Sequence, residues 1–170
     1  MYQNLGLKRD ELRIENYNPK WKKLFIKEKN RLLDLFDNYI IQIEHIGSTS
    51  VVGMSSKPII DIGILTQNID TLPYQNFDNN YFELVGRLKG RQRVFIKKEE
   101  DLNTHHIHFI EYGEDAWNRK LKFRDLLIKY EDLRLEYSKL KTQLKNKYQN
   151  DRALYSEGKT EFIVNTINNF

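Results

Sequence analysis

Cysteine is missing from all 170 residues of the chain. Its absence excludes a disulfide framework, a thiolate nucleophile and any cysteine-based zinc site. Internal repeats and low-complexity linkers are absent as well. No apolar run approaches the roughly 18 residues a membrane span needs. The opening residues, MYQNLGLKRDELRI, carry no apolar signal region. A cytoplasmic location without a membrane partner is therefore the expectation. A dominant charge is lacking too: 28 basic residues stand against 24 acidic ones, a net of +4. That excess permits a phosphate-bearing partner, but a dedicated nucleic-acid binder would leave a larger basic footprint. The length suits a single domain over residues 1–170, large enough to form a core without metals or disulfides.

The informative stretch runs from Ile43 to Leu65, IEHIGSTSVVGMSSKPIIDIGIL. It reads as strand, Gly/Ser turn, loop and second strand. Side chains on a strand alternate between faces. Ile60, Ile62 and Ile64 thus form one apolar face, and Asp61 stands on the other with Gly63 two places along. Gly47, Ser48 and Thr49 supply a permissive backbone and two hydroxyls, which can turn amides toward an anion. A phosphate-accepting turn followed by a metal-binding carboxylate provides the parts for handling a nucleotide. A sharp turn beside a capped acid would look the same in sequence.

Before this stretch, Asn18 and Pro19 mark a helix entry, and Trp21, Leu24, Phe25, Leu32, Leu35 and Phe36 recur at helical spacing to about Asp37. After it, Thr66–Asn80 is a polar connection with room for a short helix, and strands are expected at Tyr81–Val85 and Arg91–Lys97. The basic joint between those strands, Gly86 to Arg91, reads as a solvated hairpin or a phosphate contact. Thr104–Tyr112, THHIHFIEY, is a further strand with Ile107 and Phe109 turned to the core. His106 and His108 then stand side by side on the opposite face, where two imidazoles can share a metal or clamp a phosphate. From Glu114 the pattern is helical. Trp117, Leu121 and Ile128 share a face that includes Arg124, whose partner there is a carboxylate inside the fold, the safer expectation, or a substrate phosphate, and a second stripe runs through Leu133, Tyr137, Leu140, Leu144 and Tyr148. Lys139, Lys141, Lys145 and Lys147 surround that second stripe, and Asn150 or Asp151 caps the last segment. The class is α+β: a helix, a small sheet of about five strands and a helical C-terminal third.

Taken together, EHIGSTSVVGMSSKPIIDI, THHIH, FRDLL, and Tyr155 with Lys159 and Phe162-Ile163 resemble the GrpB family of bacterial proteins, which is grouped with the nucleotidyltransferase superfamily. The likeness covers about Tyr17 to Phe170, with Ser50 and Val52 where the family typically has Ala and Pro. It implies a nucleotidyltransferase-like fold, a small mixed sheet flanked by helices. It also implies that Gly47 and Ser48 hold nucleotide phosphates and that Asp61 is the first of two metal-binding acids. The second acid would stand at Gly63 and is missing. One carboxylate neutralises little of the charge on a transferring phosphoryl group. His106, His108, Glu44 or Glu111 are the groups available to complete the site, and alternation favours the histidines over Glu111.

The leading expectation is a metal-dependent nucleotidyltransferase acting on a nucleoside triphosphate and an unidentified hydroxyl acceptor. Gly47, Ser48, Thr49 and Lys57 would bind phosphate. Asp61, His106 and His108 would bind a divalent metal, Mg2+ or Mn2+, or a transition ion if the histidines ligate. Asp61 would act in catalysis, with Lys57 and Arg124 offsetting developing charge. The alternative is a module that binds a nucleotide or another phosphate ligand without transferring it. A third possibility is that His45, Thr49, Lys57 and Asp61 form a purely structural network.

Overall fold

The structure, a computed structural model, describes residues 5–78, 81–87, 90–149 and 151–170. Five strands form one mixed sheet: β1 (Ile40–Ile46), β2 (Ile60–Thr66), β3 (Phe82–Arg87), β4 (Gln92–Glu99) and β5 (Leu102–Glu111), in the order β1-β2-β5-β4-β3. β2 and β5 run parallel at the centre, and the other pairings are antiparallel. Helix α1 (Lys20–Phe36) precedes the sheet, and α2 (Asp115–Lys129), α3 (Glu131–Tyr148), α4 (Arg152–Glu157) and α5 (Thr160–Asn169) follow it. No helix among the described residues is long and apolar enough to cross a membrane.

Alternation along β2 and β5 gives the sheet two unlike faces. Ile60, Ile62 and Ile64 join Ile107 and Phe109 against Trp21, Leu32 and Phe36 of α1, with Phe77, Phe82 and Phe95 closing the cluster. Fully burying each such side chain stabilises by about 1.5–3 kcal/mol. Helix α1 begins as its sequence suggests: the Asn18 side-chain oxygen accepts from the Lys20 N–H at 3.0 Å, satisfying one donor of the first turn. Its inner face also buries Glu28, which pairs with Lys97 of β4 at 2.5 Å. The other face carries Asp61, Gly63 and Leu65 beside His106, His108 and Ile110, because Asp61 registers with His106 and Gly63 with His108. Leu65 and Ile110 there receive Trp117 of α2.

Two features of the C-terminal third differ from the periodicity. Ile128, expected on the stripe of Trp117, is exposed, and Leu127 is buried instead. The helix is wedged between two partners: the sheet takes Trp117, while Val51, Met54 and Tyr137 take Leu127. Lys141, one of the lysines around the second stripe, is only 2% exposed. It lies four residues after Tyr137 and three before Leu144, on the same side of α3 as both, and its ammonium donates to the Ser55 carbonyl oxygen.

Residues 5–15 had no readable pattern, yet they tie the two halves together. Leu7 bridges Asn103 and Glu15 bridges Ser56, while Leu12 packs on Leu144 and Tyr155. Asp151 caps α4 by accepting from the Ala153 and Leu154 N–H groups at 3.0 Å, and Asn150 lies outside the described residues. The Gly86–Arg91 joint links two paired strands, with Leu88 and Lys89 outside the described residues. Arg91 at its end is engaged by Asp70 and Glu111, both at 2.6 Å.

Candidate metal and phosphate site

The site forms where β1 turns over the start of β2. Gly47 adopts φ +68°, a left-handed conformation that few residues other than glycine take up readily. A Cβ built there would stand 2.5 Å from Asp61 Oδ2, so the position is closed to any larger side chain on two counts. The bare backbone lets the turn Ser48–Ser50 lie directly against the carboxylate. The Ser50 hydroxyl fastens the turn by donating to the Gly47 carbonyl oxygen at 2.5 Å.

Asp61 Oδ1 lies 3.1 Å from His106 Nδ1 and 3.6 Å from His108 Nε2. The first distance is a hydrogen bond, and an ionised carboxylate only accepts, so His106 Nδ1 donates. The second exceeds hydrogen-bonding range. One ligand atom from each of the three residues falls within 4.8 Å of the others, the compact donor set a metal ion requires. His108 Nδ1 is buried with no hydrogen-bond partner among the described residues. Burial tends to raise the Asp61 carboxyl, but the two imidazoles outweigh it and hold the acid well below its ordinary value. Burial, then the nearby Lys120, pushes His108 down to about 4. It is therefore neutral at physiological pH, the form that ligates metal.

Gly63, where a second acid would stand, is closely covered by its neighbours. A Cβ on Gly63 would meet Trp117 Cζ3 at 3.1 Å and Ile46 at 3.3 Å. A side chain there would have to displace Trp117 by a few tenths of an ångström or more. Glu44 registers opposite Gly63 and shares its face, but its carboxylate pairs with Arg124 Nη1 at 2.8 Å. Glu111 bonds the Ile69 N–H and Arg91. Neither joins the Asp61 cluster.

Asp61, Ser48 and Lys159 line two adjoining cavities. The smaller, about 190 Å³, is bounded by Lys57, Lys141, Lys159, Tyr155 and His106. Lys57 and Lys159 stand over the Tyr155 ring at 5.5 and 4.6 Å. Neither ammonium has a hydrogen bond or ion pair among the described residues. Burial, reinforced by Lys159, brings Lys57 down to about 8, and burial with Lys159 and Lys57 brings Lys141 to about 7. The larger cavity, about 500 Å³, has an apolar floor that includes Phe123, Tyr137 and Ile163, and Lys120 projects into it.

The structure thus brings together Gly47, Ser48, Lys57, Asp61, His106 and His108 of the expected site residues. It turns Thr49 away from the site and gives Arg124 a carboxylate partner inside the fold, one of the two roles open to it. The Thr49 hydroxyl is buried against His45 Nε2 at 3.0 Å, not directed toward a phosphate. Arg124 is held by Glu44, Asp125 and the His45 carbonyl oxygen. Both residues line a separate cavity behind the turn. There Phe25 stacks on His45 at 4.7 Å, and burial lowers that imidazole to about 4. The sequence reading missed Lys120, Lys141 and Trp117 as site residues. Lys141 carried a signal in its place on the Tyr137–Leu144 stripe, and Lys120 lies one turn after Trp117.

The profile of the GrpB protein family matches residues 11–169. The chain belongs to that family. It is 32% identical to glutamate-rich protein GrpB of Alkalihalophilus pseudofirmus over 96% of this chain and 98% of that one. It is 38% identical to protein YqkA of Bacillus subtilis over 86% of this chain and 43% of the relative, so it spans less than half of that protein's length. Among solved structures, the conserved protein GrpB from Enterococcus faecalis superposes with a TM-score of 0.83 at 28% identity, over 92% of this chain and 96% of that one. The family's fold is therefore this mixed sheet with its helical C-terminal third.

Proposed function

We propose that the protein transfers a nucleotidyl group from a nucleoside triphosphate to a hydroxyl acceptor, using one metal-binding carboxylate. The observation that carries this reading is the pair of cavities meeting at Asp61: one small and lysine-lined, the other larger with an apolar floor. Lys57 and Lys159 are half-buried with only the Tyr155 ring against them, and an anion there would offset their charge. The β- and γ-phosphates fit the small cavity, facing Lys57, Lys141 and Lys159. The α-phosphate then sits by Asp61 and Ser48, and the nucleoside and acceptor share the larger space. The acceptor oxygen attacks the α-phosphorus, the bond to the β-phosphate oxygen breaks, pyrophosphate leaves with the electron pair, and the hydroxyl proton passes to solvent. Lysine ammoniums hold the departing charge, and the Gly47 turn keeps Ser48 against the reacting phosphate.

Asp61, His106 and His108 form a donor set suited to a divalent ion, and two imidazoles favour Mn2+ or another transition ion over Mg2+. Bound there, such an ion would polarise the phosphate as a Lewis acid.

Trp117 over Gly63 favours a second reading, a module that binds the nucleotide without transferring it. Metal-dependent consumption of ATP separates the two. Transfer predicts turnover with Mn2+ that Asp61→Ala abolishes and EDTA stops. Nucleotide binding that ignores EDTA, with no turnover, supports the module. Turnover that survives Asp61→Ala overturns the transfer reading.

A further inference from the structure

The tryptophan that crowds the place of a second acid and a lysine that reaches the site belong to the same helix. Trp117 fills the space over Gly63. Lys120, three residues on, projects from the same side of α2 into the cavity lined by Asp61, Ser48, His108 and Lys159. We propose that Lys120 supplies, at this site, the positive charge that a second metal ion supplies where two acids are present, so that the site works with a single ion. The proposal rests on the nucleotide reading above and assigns a role within it.

Three observations support it. First, the metal-capable cluster among the described residues has three members and one carboxylate, too little negative charge for two divalent ions. Second, the Lys120 ammonium has no ion pair or hydrogen bond among the described residues, whereas its neighbour Arg119 pairs with Asp115 along the helix at 3.8 Å. Third, Lys120 is close enough for its charge to bear on both Asp61 and His108. A fixed ammonium cannot gather several oxygens as a metal ion does, but it donates three hydrogen bonds. During transfer it stays protonated and donates to the oxygens of the reacting phosphate, so no proton passes through it.

The test uses Mn2+ and inorganic tripolyphosphate, which need no knowledge of the acceptor. Metal retained with the protein is counted after ultrafiltration, and tripolyphosphate affinity is measured by calorimetry. The wild type should retain one Mn2+ per chain. Lys120→Met should weaken tripolyphosphate about ten- to hundredfold, the loss of one hydrogen bond to a charged group. Lys120→Arg should recover most of that affinity, and Lys122→Met, at an exposed position on the same helix, should change nothing. Two Mn2+ per wild-type chain would overturn the proposal, as would unchanged affinity in a folded Lys120→Met protein. If Lys120→Met does not fold, the wild-type metal count still decides. No tripolyphosphate binding to the wild type would remove the nucleotide reading itself, and the role of Lys120 with it.

Discussion

The two faces of β2 obey opposite rules. On the α1 side, Ile60, Ile62 and Ile64 are wholly buried among aromatic rings, and the Glu28 carboxylate is closed by ion pairs to Lys97 and Arg31. On the other side, one residue out of phase, Asp61 faces open cavities, and Lys57, Lys120 and Lys159 stand near it without ion pairs among the described residues. The first face pairs its buried charges within the protein, although the Trp21 indole N–H is buried there without a hydrogen-bond partner among the described residues. The other leaves cationic groups for something that is not protein. The contrast locates the site more sharply than either face would alone.

Substitutions one residue apart should break that comparison most strongly. Ile62→Ala should cost about 2–5 kcal/mol in unfolding experiments, through lost burial and a cavity. Metal and anion binding per folded molecule should be unchanged. Asp61→Asn should keep the fold while Mn2+ affinity drops by at least about tenfold, the lower end of losses seen for groups that only support ligands. Chemical denaturation with Mn2+ titration of the same samples checks both. Equal loss of stability in the two variants would show that Asp61 is part of the scaffold.

A smaller effect should appear with pH. Folding lowers Lys57 to about 8 and Lys141 to about 7, so between pH 7 and 9 the unfolded chain holds more protons than the native one. Stability of the ligand-free protein should then rise with pH across that window as these two groups lose their charge. Tripolyphosphate restores the ammonium forms, so its affinity should fall over the same window, by at most about tenfold per lysine per pH unit. Melting temperatures and calorimetry at pH 7, 8 and 9 test both trends. Flat stability with constant anion affinity would mean the lysines are already balanced within the protein.

Much of this was legible because strands write their geometry in period two. Alternation put Asp61 opposite the isoleucines and His106 with His108 opposite Ile107, and the register of β2 with β5 turned those separate assignments into one cluster. The resemblance of the first motif to the GrpB family located the turn. What escaped depended on contacts between elements. Thr49 looked like a phosphate ligand because a hydroxyl after a Gly-Ser pair has no orientation in sequence, and the structure turns it to His45. Arg124 on its apolar stripe called for a partner, but sequence could not name Glu44, 80 positions away. Lys120 and Lys141 resembled ordinary helix-surface lysines, since only the packing of α2 on the sheet, and of α3 on α2 and the loop that carries Ser55, turns them inward. The N-terminal arm is held by isolated bridges, which leave no periodic trace.

The central claim is most directly tested by anomalous scattering from crystals grown with Mn2+ and ATP. The account predicts a single manganese peak bounded by Asp61, His106 and His108, with the β- and γ-phosphates among Lys57, Lys141 and Lys159. Nucleotide bound at another surface, with no manganese at those three side chains, would contradict it.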